Sequence, residues 1–204
     1  MVLGKRRLIH VTIVASSDSS FGPSQADFVW NDEGDCAVMA ARLAKALIPQ
    51  LSQGGSAIIE LHGTLGAGKT TFTRHLLRAW GVEGRIKSPS YAVVEQHESP
   101  IAAAYHFDFY RFNDPQEWED AGFRDLFASP GLKLVEWPDK AAGLLPRPDL
   151  QVVIEPLAND HRIVRVKGVS AQGRFWLSSL TDSGNEPSFE ATAPSVFQGG
   201  SVHE

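Results

Sequence analysis

The segment that decides the fold reads GTLGAGKT at residues 63–70, one residue after the apolar run AIIEL at residues 57–61. It satisfies the pattern G-x-x-x-x-G-K-[ST] in full. A chain of this length matches that pattern by chance roughly once in a hundred, given average residue frequencies. Here the match also follows a predicted buried strand and opens a predicted helix at residues 70–80, which is the context that the motif requires. The segment therefore predicts a phosphate-binding loop (P-loop).

The residue types in this loop match its chemistry. Its three glycines, Gly63, Gly66 and Gly68, allow the backbone to turn tightly and to aim successive N–H groups at phosphate oxygens. The positive end of the following helix dipole favours the same anion. Lys69 supplies a positive charge for the β- and γ-phosphates, and the Thr70 hydroxyl is a ligand for Mg²⁺. The loop thus predicts a site for a nucleoside triphosphate with magnesium.

Composition limits the class of protein. The chain has 204 residues, 43% of them hydrophobic, which suits one globular domain. The formal net charge of −5 argues against a strongly basic surface for nucleic acid, so any work on nucleic acid is expected to run through a partner. Cys36 is the only cysteine, which excludes an intramolecular disulfide and suits a reducing cytoplasm. No run approaches the ~20 apolar residues of a membrane span, and the short apolar run after Lys5 is too brief for a signal peptide.

Alternating strands and helices predict an α/β fold with one P-loop domain, its sheet mainly parallel and flanked by helices. The last two predicted strands have no helix between them, so they are expected to be antiparallel. We predict an N-terminal extension at residues 1–26, partly disordered, the domain at 27–180 and a disordered tail at 181–204. The predicted helices are 35–48, 70–80 and 115–127. The predicted strands are 57–61, 91–96, 101–107, 132–135, 151–155 and 162–167.

A P-loop needs an acidic partner for its metal, normally at the end of a strand. Asp108 follows the predicted strand 101–107, and Glu136 follows the predicted strand 132–135. Either could be an ordinary strand-end carboxylate, but ligands collect at the carboxyl ends of parallel strands, which favours both as site residues. Ser90 is a candidate hydroxyl near the γ-phosphate or a plain turn residue. Trp137 either covers the nucleotide or fills the core.

Four motifs together resemble one known family. They are GTLGAGKTT at residues 63–71, KSPSY at 87–91, HFDFYR at 106–111 and LVEWP at 134–138. In that order and spacing they are similar to the bacterial TsaE family, and the similarity spans about residues 27–180. Four linked motifs are far more specific than a P-loop alone.

The resemblance implies an ATPase that works with the TsaD and TsaB proteins to attach threonylcarbamoyl to the adenosine beside the anticodon of tRNA. It implies ATP and Mg²⁺ as cofactors, with Lys69, Asp108 and Glu136 as catalytic residues. Thr70, Asp108 and Glu136 would serve the metal. The nucleotide would contact Gly63, Leu65, Gly66, Ala67, Gly68, Lys69, Thr70, Thr71, Ser90, Trp137 and Arg162.

The chain departs from the family pattern at three positions. The family usually has Asp or Glu where this chain has Thr64, and Thr where it has Ser90. It often has Thr where this chain has Cys36. Ser90 keeps a hydroxyl, whereas Thr64 removes a carboxylate from the loop. Three other functions remain as alternatives: a small-molecule kinase, a GTPase and a nucleotide sensor that does not hydrolyse. No arginine-rich lid segment follows the P-loop helix, and residues 137–140 do not replace the missing guanine-recognition motif.

Overall fold

The structure is a computed structural model that describes residues 10–14, 23–89 and 91–182. In these ranges the chain forms one sheet of eight strands and five α-helices. The strands are β1 (His10–Val14), β2 (Gln25–Trp30), β3 (Ser56–His62), β4 (Val94–His97), β5 (Ala104–Asp108), β6 (Gly131–Glu136), β7 (Leu150–Pro156) and β8 (Arg162–Gly168). The helices are α1 (Glu33–Leu51), α2 (Lys69–Ala79), α3 (Pro115–Asp120), α4 (Phe123–Ala128) and α5 (Ala171–Thr181).

The sheet is mixed, with the strand order β1-β2-β8-β7-β3-β6-β5-β4. The four central strands β7, β3, β6 and β5 run parallel, and every pairing outside them is antiparallel. The central strands β3 and β6 are buried along almost their whole length, which explains why their sequences are mainly apolar. The prediction of an α/β fold with antiparallel closing strands is confirmed, because β7 pairs antiparallel with β8.

Two hydrophobic clusters pack against the sheet. The larger one packs α1, α2 and α5 around residues such as Leu43, Phe72 and Trp176, all buried. The smaller one is aromatic and includes Phe107 of β5 and Phe127 of α4, whose rings stack with centroids 4.6 Å apart. Such stacked pairs contribute stability beyond the area they bury. The two layers hold the carboxyl ends of β3, β5 and β6 in a fixed arrangement.

The prediction of one helix over residues 115–127 is wrong. The segment forms two short helices, α3 and α4, separated by Gly122 in the left-handed conformation with φ 66°. Glycine adopts that conformation without strain, and it ends α3 as a C-terminal glycine commonly does. The bend turns Phe123 and Phe127 onto the aromatic cluster.

Several element boundaries also differ from the sequence prediction. β4 and β5 each begin three residues later than predicted, and Val93, with φ 63°, lies just before β4. Helix α5 was not predicted. Its start is capped by Ser170, whose hydroxyl accepts the Gly173 N–H.

The sheet extends into the predicted N-terminal extension. β1 lies wholly inside residues 1–26 and pairs antiparallel with β2, which itself begins two residues before the predicted domain boundary. The predicted tail at 181–204 falls almost entirely outside the described residues, and the disorder of both termini stays a prediction. None of the helices in the described ranges is long and apolar enough to cross a lipid bilayer.

Candidate nucleotide-binding site

The P-loop connects the end of β3 to the start of α2. Gly63 has φ 139°, and a Cβ atom added there would lie 2.3 Å from the carbonyl oxygen of Ile154, so only glycine fits. Gly66 and Gly68 also have positive φ, at 78° and 115°. Gly68 is the N-cap of α2 and, having no side chain, makes no side-chain capping hydrogen bond to that helix. The loop and the helix start therefore form a concave backbone surface that suits an anion.

Lys69 is buried at the centre of this loop. Its Nζ donates to the carbonyl oxygens of Gly63 at 2.7 Å and Thr64 at 2.9 Å, and it lies 3.7 Å from the ring centroid of Trp137. Burial lowers the pKa of Lys69, and the carboxylates of Glu136 and Asp108 oppose that shift. The ammonium is thus held by its own loop and covered by an aromatic ring, close to where a phosphate would bind.

The two predicted acidic residues lie side by side. Asp108 ends β5 and Glu136 ends β6, and the two are register partners across this parallel pair. Both are almost fully buried, with 5% and 2% exposure. Glu136 accepts a hydrogen bond from the Thr70 hydroxyl at Oε2 over 2.8 Å, which ties the end of β6 to the first turn of α2. Two separate parts of the chain are thereby brought to one point.

Glu136 has further partners inside the sheet layer. Its Oε1 lies 2.8 Å from Nε2 of His106 and accepts a longer hydrogen bond, 3.4 Å, from the Thr73 hydroxyl. Both partners are fully buried. The carboxylate is therefore held at both oxygens.

Asp108 is fixed by the loops around it. Its Oδ2 accepts from the hydroxyl of Ser88, and its Oδ1 accepts from the Tyr110 N–H at 3.0 Å. Ser88 belongs to the same KSPSY segment as Ser90, the hydroxyl that the sequence predicts near the γ-phosphate. Ser90 lies outside the described residues.

These groups line a cavity of about 380 Å³ that is open on one side. Arg162 is not among its lining residues. Its Nε donates to the carbonyl of Ala67 at 3.0 Å and so supports the P-loop from outside the cavity. The cavity is lined by Leu65, Gly66, Gly68, Lys69, Thr70, Thr71, Ser88, Asp108, Tyr110, Arg111, Glu136 and Trp137.

Most of the predicted site residues thus meet in one cavity, while Gly63 and Ala67 shape the loop from behind. Four residues in or beside the site were not among those predicted from the sequence: Ser88, Thr73, His106 and Tyr110. A signal existed for His106, because it precedes Asp108 by two residues and the side chains of a strand alternate between faces with that period. Ser88 had no signal to distinguish it from Ser90. The chemical roles of the site residues remain predictions.

The donor set has the chemistry of a magnesium site. Thr70, Asp108 and Glu136 offer only oxygen atoms, which hard cations such as Mg²⁺ prefer. Few protein ligands converge here, as expected where the phosphates of a nucleotide and water complete the coordination of Mg²⁺. The residues present therefore fit the group that the P-loop implies.

Comparisons with known proteins agree with these motifs. A tRNA threonylcarbamoyladenosine biosynthesis protein TsaE from Haemophilus influenzae is 40% identical over 125 residues, which cover 61% of this chain and 78% of that protein. The protein of the same name from Bacillus subtilis is 35% identical over 128 residues, covering 63% and 80%. One from Rickettsia felis is 30% identical over 155 residues, covering 76% and 84%.

The fold also matches a solved structure. The crystal structure of Bacillus subtilis YdiB superimposes with a TM-score of 0.62 at 24% identity, covering 77% of this chain and 94% of that one. The family model described as "Threonylcarbamoyl adenosine biosynthesis protein TsaE" matches residues 31–164, which contain the P-loop and both acidic residues. The chain therefore belongs to the TsaE family.

Proposed function

We propose that this protein is the ATPase component of tRNA threonylcarbamoyladenosine biosynthesis and that it hydrolyses ATP with Mg²⁺ to drive turnover of a TsaD–TsaB complex. The observation that carries the hydrolytic part is the convergence of Lys69, Thr70, Asp108 and Glu136 in one cavity. Family membership and the names of the similar proteins support the pathway.

In this mechanism the P-loop N–H groups and Lys69 bind the β- and γ-phosphates. Lys69 must exchange the carbonyls of Gly63 and Thr64 for phosphate oxygens, which costs little because both arrangements satisfy the ammonium. Bound Mg²⁺ would neutralise charge on the phosphates, with Thr70 and the acidic pair holding it. Asp108 and Glu136 also orient the attacking water, and one of the two carboxylates accepts its proton.

Hydrolysis is proposed to reset the partner complex, and the threonylcarbamoyl transfer itself belongs to the partners. P-loop hydrolysis is mainly positioning and charge stabilisation, followed by a change in the order of nearby loops. The segment around Ser88 touches Asp108 and is the natural candidate for that change. With a net charge of −5, the chain would meet tRNA only indirectly, through TsaD and TsaB in the cytoplasm.

The test is multiple-turnover tRNA modification with purified TsaD, TsaB and a supply of threonylcarbamoyl-adenylate. We expect modification to continue past one round only when this protein and ATP are both present. Lys69→Ala should abolish the sustained phase, and Lys45→Ala, which removes an exposed lysine of α1, should leave it intact. Sustained modification with Lys69→Ala would contradict the proposal.

A phosphate-release measurement separates hydrolysis from its main alternative, a small-molecule kinase. A hydrolase releases inorganic phosphate from ATP without an added acceptor, whereas a kinase transfers it to a hydroxylated metabolite. Absence of any effect on tRNA modification, with ATP binding intact, would reject the tRNA role. It would leave the nucleotide site and direct the search to kinase substrates.

A further inference from the structure

His106 is a buried histidine that the proposed mechanism does not use. It lies on β5 with 0% exposure, and its Nε2 is 2.8 Å from Oε1 of Glu136. Its other ring nitrogen, Nδ1, is buried and has no hydrogen-bond partner among the residues that the structure describes. Within the described part of the chain the ring therefore has one hydrogen-bonding contact, and that contact is the carboxylate at the centre of the site.

The strand geometry explains this placement. His106 and Asp108 are two residues apart on β5, so their side chains lie on the same face of the sheet. The register pairs His106 with Leu134 and Asp108 with Glu136 on the adjacent parallel strand. The imidazole reaches diagonally along the sheet to Glu136, from below the end of the strand. It is part of the layer that supports the site and does not line the cavity.

The unpartnered Nδ1 identifies the tautomer. If the proton were on Nδ1, the site would bury an N–H group without an acceptor and would turn the lone pair of Nε2 toward a carboxylate oxygen. A doubly protonated ring, or a protonated Glu136 donating to Nε2, would bury the same unsatisfied N–H. An unsatisfied buried donor costs roughly 1–3 kcal/mol. The neutral ring with hydrogen on Nε2 avoids that cost and donates to Glu136.

We propose that His106 is a positioning residue, which fixes the Glu136 carboxylate by donating its Nε2–H to Oε1. Oε2 is then left facing Thr70, whose hydroxyl donates to it at 2.8 Å. Without the histidine, only the long 3.4 Å contact from Thr73 restrains Oε1, and the carboxylate can rotate away from Thr70. The effect of His106 on hydrolysis rests on the proposed function, whereas the hydrogen bond and the tautomer do not.

Two variants and a matched control test this role. His106→Leu fills the space without a donor, and His106→Gln carries an amide N–H near the position of Nε2. His97→Gln is the control, because His97 is also buried, 8% exposed, on neighbouring β4 and does not contact Glu136. Partners of this kind in metal sites are typically worth roughly 10- to 100-fold in affinity or activity.

For His106→Leu we expect kcat for ATP hydrolysis to fall roughly 10- to 100-fold with KM for ATP within roughly threefold of the unmodified protein. His106→Gln should recover most of that loss, and His97→Gln should show none of it. The Mg²⁺ concentration needed for half-maximal ATP binding should rise for His106→Leu only. Equal behaviour of His106→Leu and His97→Gln would overturn the proposal.

A measurement on the unmodified protein needs neither hydrolysis nor a folded variant. Imidazole ¹⁵N–¹H NMR should identify His106 as the Nε2–H tautomer. An Nδ1–H tautomer would overturn the proposal even if the Leu variant fails to fold. If the unmodified protein hydrolyses no ATP with TsaD and TsaB present, the proposed function fails, and the tautomer together with Mg²⁺-dependent ATP binding still decides the role of His106.

Discussion

The ammonium of Lys69 lies 3.7 Å from the centroid of the Trp137 ring. The ammonium is therefore enclosed between that ring and the backbone carbonyls of the P-loop to which it donates. Trp137 directly follows Glu136 and has left-handed backbone angles, φ 58° and ψ 47°. That conformation is unfavourable for a residue with a side chain, so the packing around it must hold the ring in place. The ring also contacts Tyr110, with centroids 5.0 Å apart. A phosphate bound in the P-loop would therefore compete with Trp137 for the ammonium.

Trp137 should therefore report nucleotide binding. Withdrawal of the Lys69 cation from its ring changes the electrostatic environment of the indole, so ATP should change the intrinsic fluorescence of the protein. Trp137→Phe should abolish that change, whereas Trp176→Phe, which alters a buried tryptophan of α5, should retain it. A full ATP-dependent signal in Trp137→Phe would show that the contact is not displaced by nucleotide.

The hydroxyl of Thr70 is predicted to be essential, in contrast to its methyl group. Thr70→Val preserves the shape of the side chain but removes both the donor to Glu136 and the oxygen that we propose binds Mg²⁺. A hydrogen bond to a charged group is worth about 1.5–3 kcal/mol, so we expect phosphate release to slow by roughly 10- to 100-fold. Thr70→Ser keeps the hydroxyl and should stay close to the unmodified rate across a Mg²⁺ titration. Equal rates for the two variants would disprove this.

Because of Lys133, the free energy of unfolding should change with pH in the alkaline range. It is fully buried on β6, with Nζ donating to Ser56 Oγ at 2.9 Å and to the carbonyl of Ser129. Burial lowers the pKa of Lys133 from 10.5 to about 8. Between these values the unfolded chain binds a proton that the folded protein does not, so stability rises with pH through that window, by at most about 1.4 kcal/mol per pH unit.

The measurement is urea unfolding of the unmodified protein and Lys133→Met between pH 7.5 and 10. The free energy of unfolding of the unmodified protein minus that of the variant should increase with pH, because only the unmodified protein carries the buried amine. Lys167→Met removes an exposed lysine of β8 and serves as the comparison. A difference for Lys133→Met that stays constant with pH would contradict the prediction.

The glycines of the P-loop should differ in their tolerance of a side chain. Gly66→Ala meets no atom within 4 Å and carries only the strain of a positive φ, about 1–2 kcal/mol. Gly63→Ala adds a collision with the carbonyl of Ile154, and overpacking of that kind typically costs a further 1–3 kcal/mol or so. Thermal unfolding should therefore place Gly63→Ala clearly below Gly66→Ala. Equal midpoints would mean that β7 can shift away from the loop.

The sequence predicts those parts of the protein that are encoded by short motifs. The P-loop at 63–70 requires specific residues at fixed spacing, and its position between β3 and α2 follows from local periodicity. Asp108 and Glu136 were identifiable because each directly follows an apolar strand. The break between α3 and α4 at Gly122 was not identifiable from the sequence. The apolar spacing of residues 115–127 continues across it, and an isolated glycine is tolerated within many helices.

The sequence by itself determined the fold class, the phosphate-binding loop and the two acidic residues, since each depends on residues close together along the chain. Only the tertiary structure decided which side chains hold those carboxylates: Thr70 and His106 on Glu136, and Ser88 on Asp108. These contacts join residues 20 to 66 positions apart. Their formation depends on strand order and register, which arise from packing of the whole sheet, so the local spacing that aligns His106 with Asp108 does not reveal Glu136 as its partner.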